Sequence, residues 1–214
     1  MLVHERMSCN PVTVTPDVPI TEALRLMRDR QVRRLPVLDQ EGYLIGIVSE
    51  KDLLYASPSP ATSLSIYEMH YLLSRLRVQE LMTTEVITVT ADTLLEEAAR
   101  IMVDHKIGGL PVTEGRKLLG IITQTDIFEV LLEQFGARQK GLRLSLEIPE
   151  RKGEMARITT AIAHLGGDIL ALGTFLGDDP TTALVTIKVK DVSAEALETT
   201  MRDLGVQIRD MRET

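Results

Sequence analysis

The chain has 214 residues, enough to bury a sizeable core and to hold more than one domain. Its 24 Lys+Arg against 31 Asp+Glu leave a net charge of −7, and with aromatics at 3% and no Trp this argues against a nucleic-acid-binding surface, which needs clustered positive charge. One cysteine, Cys9, excludes an internal disulfide framework, and no apolar run approaches the roughly 20 residues that span a bilayer, so a reduced cytoplasmic setting without membrane contact is expected.

In chain order, Pro11 to Pro16 reads as a short extended segment. Pro19 then suits the first position of a helix whose apolar residues Ile20, Ala23, Leu24 and Met27 fall at i, i+3, i+4 and i+7. The strand Val32 to Val37, a polar turn at Asp39 to Gly42, and a second strand follow. That strand runs into a junction, Gly46-Ile-Val-Ser49-Glu-Lys-Asp52, where a helix opens. A Ser-Pro-rich loop from Ala56 leads to a connector helix with Ile66, Met69, Leu72, Leu73 and Leu76 on one face.

The same order then repeats. Val3-His-Glu-Arg-Met7 matches Val78-Gln-Glu-Leu-Met82, and Thr13-Val-Thr matches Thr88-Val-Thr. Leu35-Pro-Val37 matches Leu110-Pro-Val112, and the junction returns as Gly120-Ile-Ile-Thr123-Gln-Thr-Asp126. The offset is 88 − 13 = 75 at first and 120 − 46 = 74 at the junctions, so one residue is missing from the second copy's turn, as a hairpin loop allows. In the second copy, Thr93 and Glu96 are spaced as a capping box before the stripe Leu95, Ala98, Ala99 and Met102. Each copy is a thin α/β layer, so two must pack together.

Within each junction a hydroxyl and a carboxylate stand three residues apart. Ser49 with Asp52, and Thr123 with Asp126, can cap the helix they open, or can turn the same atoms to a phosphate and to the hydroxyls of a ribose.

Taken together, the ordered features of residues 3–135 resemble a tandem pair of CBS domains, modules that commonly bind adenine nucleotides or related adenosyl ligands. The resemblance implies nucleotide contacts at Thr13 and Thr88 near the base, Val32 and Ile107 against it, and Arg33, Arg34, Gly108 and Gly109 near phosphate. Ser49, Asp52, Thr123 and Asp126 would then complete the sites, with the two acids holding ribose. Because Arg33-Arg34 occupy the position of Gly108-Gly109, two sites of unlike charge are expected. Core packing for Val32 and Ile107, strand propensity for the threonines, and a solvated surface pair for the arginines remain the structural alternatives.

Beyond the repeats, Gly141 to Ile148 alternates like a strand, and Glu154 to Leu165 is helical with Met155, Ile158, Ile162 and Leu165 inward, ended by Gly166-Gly167. Strands Asp168 to Leu176 and Ala183 to Val189, a helix opened by Ser193, and a last strand Val206 to Ile208 give the order βαββαβ, a ferredoxin-like plait. This stretch resembles an ACT domain, a small module that often binds amino acids or other effectors at subunit interfaces. The matching residues are Gly153 and Glu154 at the turn and Asp168 and Ile169 at the next strand. Lys152 stands where the family has proline, and Asp168 where it has asparagine.

The expected class is therefore α/β (α+β), divided as residues 1–57 for the first CBS domain, 58–77 for the connector, 78–136 for the second, and 140–214 for the ACT domain. This order resembles AcuB-type acetoin-utilisation proteins. It implies a regulatory, ligand-sensing protein that forms a homodimer or higher homo-oligomer and signals to an unidentified target protein. A scaffold with non-functional sites and a subunit of an enzyme complex are the alternatives. His4, His70, His105 and His164 are scattered, so no metal is expected, and no local motif places a nucleophile beside a base, so neither catalytic residues nor a catalytic cofactor are expected.

Overall fold

A computed structural model describes residues 1–56, 75–177 and 179–214. It divides into two compact units, 1–127 and 128–214. The expected connector helix falls outside the described residues apart from its last positions, where Leu76 packs on the first repeat's core.

In the first unit each repeat gives a helix, a hairpin and a second helix. The first contributes α1 (Ile20–Asp29), β2 (Arg34–Leu38), β3 (Leu44–Ser49) and α2 (Glu50–Tyr55), after a short β1 (Ser8–Cys9). The second contributes α3 (Leu95–Asp104), β4 (Gly109–Glu114), β5 (Lys117–Thr123) and the helix α4 (Gln124–Gln134), whose residues from Phe128 onward belong to the other unit. β2 pairs with β3 and β4 with β5, both antiparallel, and both pairings shift register before the turn, at Val37/Leu38 and Val112/Thr113. The 75-to-74 slip falls in those turns, which Gly42 (φ 84°) and Gly115 (φ 60°) reverse in the left-handed region.

The helix stripes meet the sheets as the periodicity requires. Ile20, Ala23 and Met27 are buried on α1, and Leu95, Ala98 and Met102 on α3, so the methionines are core. Two local expectations change. Pro19 is the N-cap of α1 rather than its first residue, and α3 is capped by Leu94 without a side-chain bond, because the Thr93 hydroxyl turns back to Thr90 N at 3.1 Å.

The repeats hold each other by exchanging their leading segments. Val3 N–H donates to Thr93 O at 2.9 Å, and Val78 N–H donates to Val18 O at 3.0 Å, the same bond after the 75-residue shift. β1 adds an edge to β5 with Cys9 opposite Gly120, while Thr83 bridges Ile47 on the other side. Val78 is fully buried in the first repeat's core, with Leu81 and Met82 packed on it. This exchange explains both junction glycines. A Cβ at Gly46 would lie 2.6 Å from Met82 Sδ, and one at Gly120 would lie 2.8 Å from Met7 Sδ.

The second unit carries β6 (Leu142–Pro149), α5 (Glu154–His164), β7 (Asp168–Leu176), β8 (Thr182–Lys190), α6 (Ala194–Asp203) and β9 (Gln207–Glu213). The sheet order is β7-β8-β6-β9 with every pairing antiparallel, which is the ferredoxin-like arrangement. Leu142, Leu144, Leu146 and Ile148 of β6 are buried with Ile158 and Ile162 of α5 and Leu197 and Met201 of α6. Ser193 caps α6, accepting from Ala196 N at 3.3 Å. β9 extends to Glu213, beyond the expected end at Ile208.

Phe135 and Gly136, grouped from sequence with the second repeat, lie in this second unit. The Phe135 ring stacks on Phe175 at 6.0 Å, and the buried Lys188 Nζ donates to Gly136 O at 3.0 Å.

Candidate functional site

Each junction is built by the end of a hairpin feeding a helix. Arg34 pairs with Ser49 and Gly109 with Thr123, while the first helical N–H groups of Glu50 and Gln124 donate to Arg33 O (2.9 Å) and Gly108 O (3.1 Å). Hydroxyl, acid and residues 33–34 or 108–109 of one repeat are thus neighbours by backbone pairing alone.

At the first junction the Ser49 hydroxyl donates to Asp52 Oδ2 at 2.6 Å and Ser49 N–H to the same oxygen at 2.9 Å, while Asp52 N–H donates to Ser49 Oγ at 3.3 Å. At the second, the Thr123 hydroxyl and N–H both donate to Asp126 Oδ2 at 2.7 Å. The reciprocal capping box is complete at the first junction, and at the second the acid's half of it is formed. Neither exhausts its carboxylate, because these bonds converge on Oδ2 and an ionised carboxylate offers about four lone-pair positions. The Oδ1 side can still accept hydroxyl donors.

Two clefts open at the junctions, of about 530 Å3 and about 550 Å3, within the range of roughly 300–1,000 Å3 that suits small-molecule ligands. The first holds Ser49 and Asp52 of the first repeat and is walled by Ile87, Ile107, Gly108 and Gly109 of the second. Its counterpart holds Thr123 and Asp126 of the second repeat and is walled by Val12 and Val32 of the first. Each cleft thus takes its carboxylate from one copy and most of its apolar wall from the other.

Arg33, Arg34 and Gly108 line both clefts, which overturns the expectation of one arginine site and one glycine site. Arg34 reaches this position because Gly108 has no side chain: a Cβ there would lie 2.1 Å from Arg34 Nη2. Burial, the largest cause, and then Arg33 pull the Arg34 pKa below its ordinary value, and Asp52 opposes them. Such a cation gains from an anionic partner.

Thr13 and Thr88 are not brought into either cleft. Thr13 opens onto a separate cavity with Glu22 and Arg25, and Thr88 is exposed. In these extended segments the side chains alternate, so Val12 and Val14 pack inward on either side of Thr13. Val12 and Ile87, which sequence reasoning passed over, take the wall positions, and the signal that could have found them is this two-residue period. The first cleft also has Lys51, Lys106 and Tyr55, which no repeat pattern singled out, and Lys51 Nζ lies 5.4 Å from the Tyr55 ring centre.

The family described as CBS domain matches residues 3–59 and again 78–133, just over half of the chain. The chain belongs to the CBS domain family. Among solved structures, the CBS domain pair of protein MJ0100 in complex with 5′-methylthioadenosine and S-adenosyl-L-methionine is 27% identical with a TM-score of 0.52. It covers 65% of this chain and 98% of its own. The AcuB protein of Vibrio cholerae, named for acetoin utilization, is 31% identical with a TM-score of 0.53 over 64% of this chain and 95% of its own. CBSX2 in complex with AMP is 30% identical with a TM-score of 0.52 over 61% and 96%. A protein of Methanocaldococcus jannaschii is 33% identical over 73% of this chain, which spans 38% of that relative's length.

Outside the CBS pair, the four candidates of the second unit do not converge within one chain. Gly153 (φ 90°) caps α5 at its start, whereas Asp168 and Ile169 follow its end, about 16 Å away along an 11-residue helix. Glu154 is buried and held by Arg151 and by Arg157 at 2.8 Å, and the Arg151 hydrogen bond is the main cause keeping its carboxyl below the usual range. Asp168 pairs with Lys190 at 3.1 Å. Among the described residues no group of three or more His, Cys, Asp or Glu is placed to hold a metal, and no helix is long and apolar enough to cross a membrane.

Proposed function

We propose that this CBS protein is regulatory and senses adenine nucleotides, AMP, ADP or ATP, in its two clefts. The observation that carries the reading is the double junction. In each cleft a helix-opening carboxylate with one oxygen still able to accept stands opposite an apolar wall from the other repeat, with a partly buried guanidinium between. A nucleotide needs these three things together: acceptors for ribose hydroxyls, a slot for the base and a cation for phosphate. The AMP in CBSX2 and the adenosyl compounds in the MJ0100 pair support an adenine ligand here.

Residues 140–214 are read as an ACT domain, on the strength of the ferredoxin-like order and the turn glycine at 153. Since Gly153 and Asp168 lie at opposite ends of α5, an effector site formed from both sets would need a second copy of the chain. On this reading the protein is a cytoplasmic homodimer in which an amino acid or similar effector sits between subunits and the signal passes to a target protein. The likeness to AcuB supports a regulatory role of the AcuB kind.

Titration calorimetry with AMP, ADP and ATP tests the central reading. Two ligands per chain are expected for the wild type, one for Asp52→Ala or Asp126→Ala, and none for the double variant. Unchanged stoichiometry in the double variant would sink it.

A further inference from the structure

The repeat predicts a pseudo-twofold pair of clefts, yet the residues between them are not symmetric. Arg33 and Arg34 correspond, after the 75-residue shift, to Gly108 and Gly109. The Arg34 side chain lies over the space those glycines leave. Besides the 2.1 Å approach of Nη2 to a Cβ position at Gly108, its Cδ lies 3.4 Å from one at Gly109. A larger residue at 108 would push the guanidinium away, so the arginine and the glycine are two halves of one arrangement. Where symmetry would offer each cleft its own cations from these positions, the pair has only the first repeat's: Arg34, partly buried, lines both clefts, and Arg33, which also lines both, is exposed to solvent.

We infer that Arg34 is shared between the two clefts, so that a phosphate-bearing ligand in one weakens the binding of a second in the other. This rests on the adenine-nucleotide reading above. A guanidinium that pairs bidentately with one phosphate has its best donors already committed when the second arrives. A ligand with the same base and ribose but no phosphate makes no such demand, so its two sites are independent. The coupling is reciprocal, as any binding linkage must be.

The test compares AMP with adenosine by titration calorimetry on the full chain. Asp126→Ala and Asp52→Ala each report one cleft alone. For AMP, the overall two-site constant of the wild type should fall at least about fivefold below the product of those two single-site constants, the lower end of common coupling strengths. For adenosine the two should agree. Arg34→Ala, and Arg34→Gln as a variant that keeps the stem over Gly109, placed in all three backgrounds, should abolish the deficit for AMP. Agreement between product and overall constant for wild-type AMP would overturn the inference while leaving the nucleotide reading intact, as would a deficit that survives in both Arg34 variants or appears with adenosine. If no nucleotide binds at all, the reading fails and the inference with it.

Discussion

Replacing the two junction glycines should give unequal costs, because their neighbours differ in the ability to move. At Gly46 an added Cβ meets Met82 Sδ at 2.6 Å, the far end of a flexible side chain, and the nearest backbone atom is Thr83 O at 3.2 Å. At Gly120 it meets Met7 Sδ at 2.8 Å and also Ser8 O at 2.8 Å, a carbonyl fixed by the pairing of β1 with β5. Overpacking against rigid neighbours costs about 1–3 kcal/mol. Alanine for glycine returns about 0.4–1 kcal/mol through the unfolded chain. Neither glycine has a positive φ, so both backbones accept alanine. Gly46→Ala should therefore change stability by less than about 1 kcal/mol, and Gly120→Ala should lose about 2 kcal/mol, or several degrees in Tm. Urea unfolding followed by circular dichroism on the full chain measures both. Adding Met7→Ala to Gly120→Ala should recover little, since the Ser8 carbonyl stays in place. Equal losses at the two positions, or full recovery with Met7→Ala, would refute the claim that strand β1 is locked onto the second repeat.

Ser49→Ala should destabilise the first unit by about 0.5–2 kcal/mol without any ligand, because Asp52 N–H loses its acceptor, and thermal unfolding reads this directly. Glu154 has a folded pKa below its ordinary 4.5, so its contribution is present above that value and lost as pH falls through the depressed one. Acid titration of stability should accordingly show a shallower loss below pH 4.5 in Glu154→Gln than in the wild type, and parallel curves would remove the ion cluster from the account.

What was legible in the sequence is what local periodicity or literal repetition carries. The helix stripes of Ile20-Ala23-Met27 and Leu95-Ala98-Met102, the hairpins, the Ser49/Asp52 and Thr123/Asp126 pairs and the βαββαβ order all appear where expected, because each depends on neighbours within a dozen residues. What escaped is how one copy meets the other. A repeat makes residues of one copy look as though they serve that copy, so in the sequence Val32-Arg33-Arg34 reads as part of one site and Ile107-Gly108-Gly109 as part of another. Only the exchange of leading segments, with Val78 in the first repeat's core and Met7 on Gly120, reveals that most of the wall of each cleft comes from the opposite copy. The packing of Phe135 on Phe175 was equally invisible, since nothing near Phe135 in the chain marks Gly173 as its seat.

That exchange has a thermodynamic consequence. Neither cleft exists in one repeat alone: separating the copies removes Ile87 and Ile107 from Asp52, and Val12 and Val32 from Asp126. A ligand that bridges carboxylate and opposite wall binds only the paired arrangement, so its binding free energy adds to the association of the repeats by mass action. The same ligand can act as a signal only through a difference in affinity between two arrangements of the pair. Residues that touch both clefts are placed to supply that difference, and Arg34 over Gly108 is one that carries a charge able to pair with an anionic ligand in either.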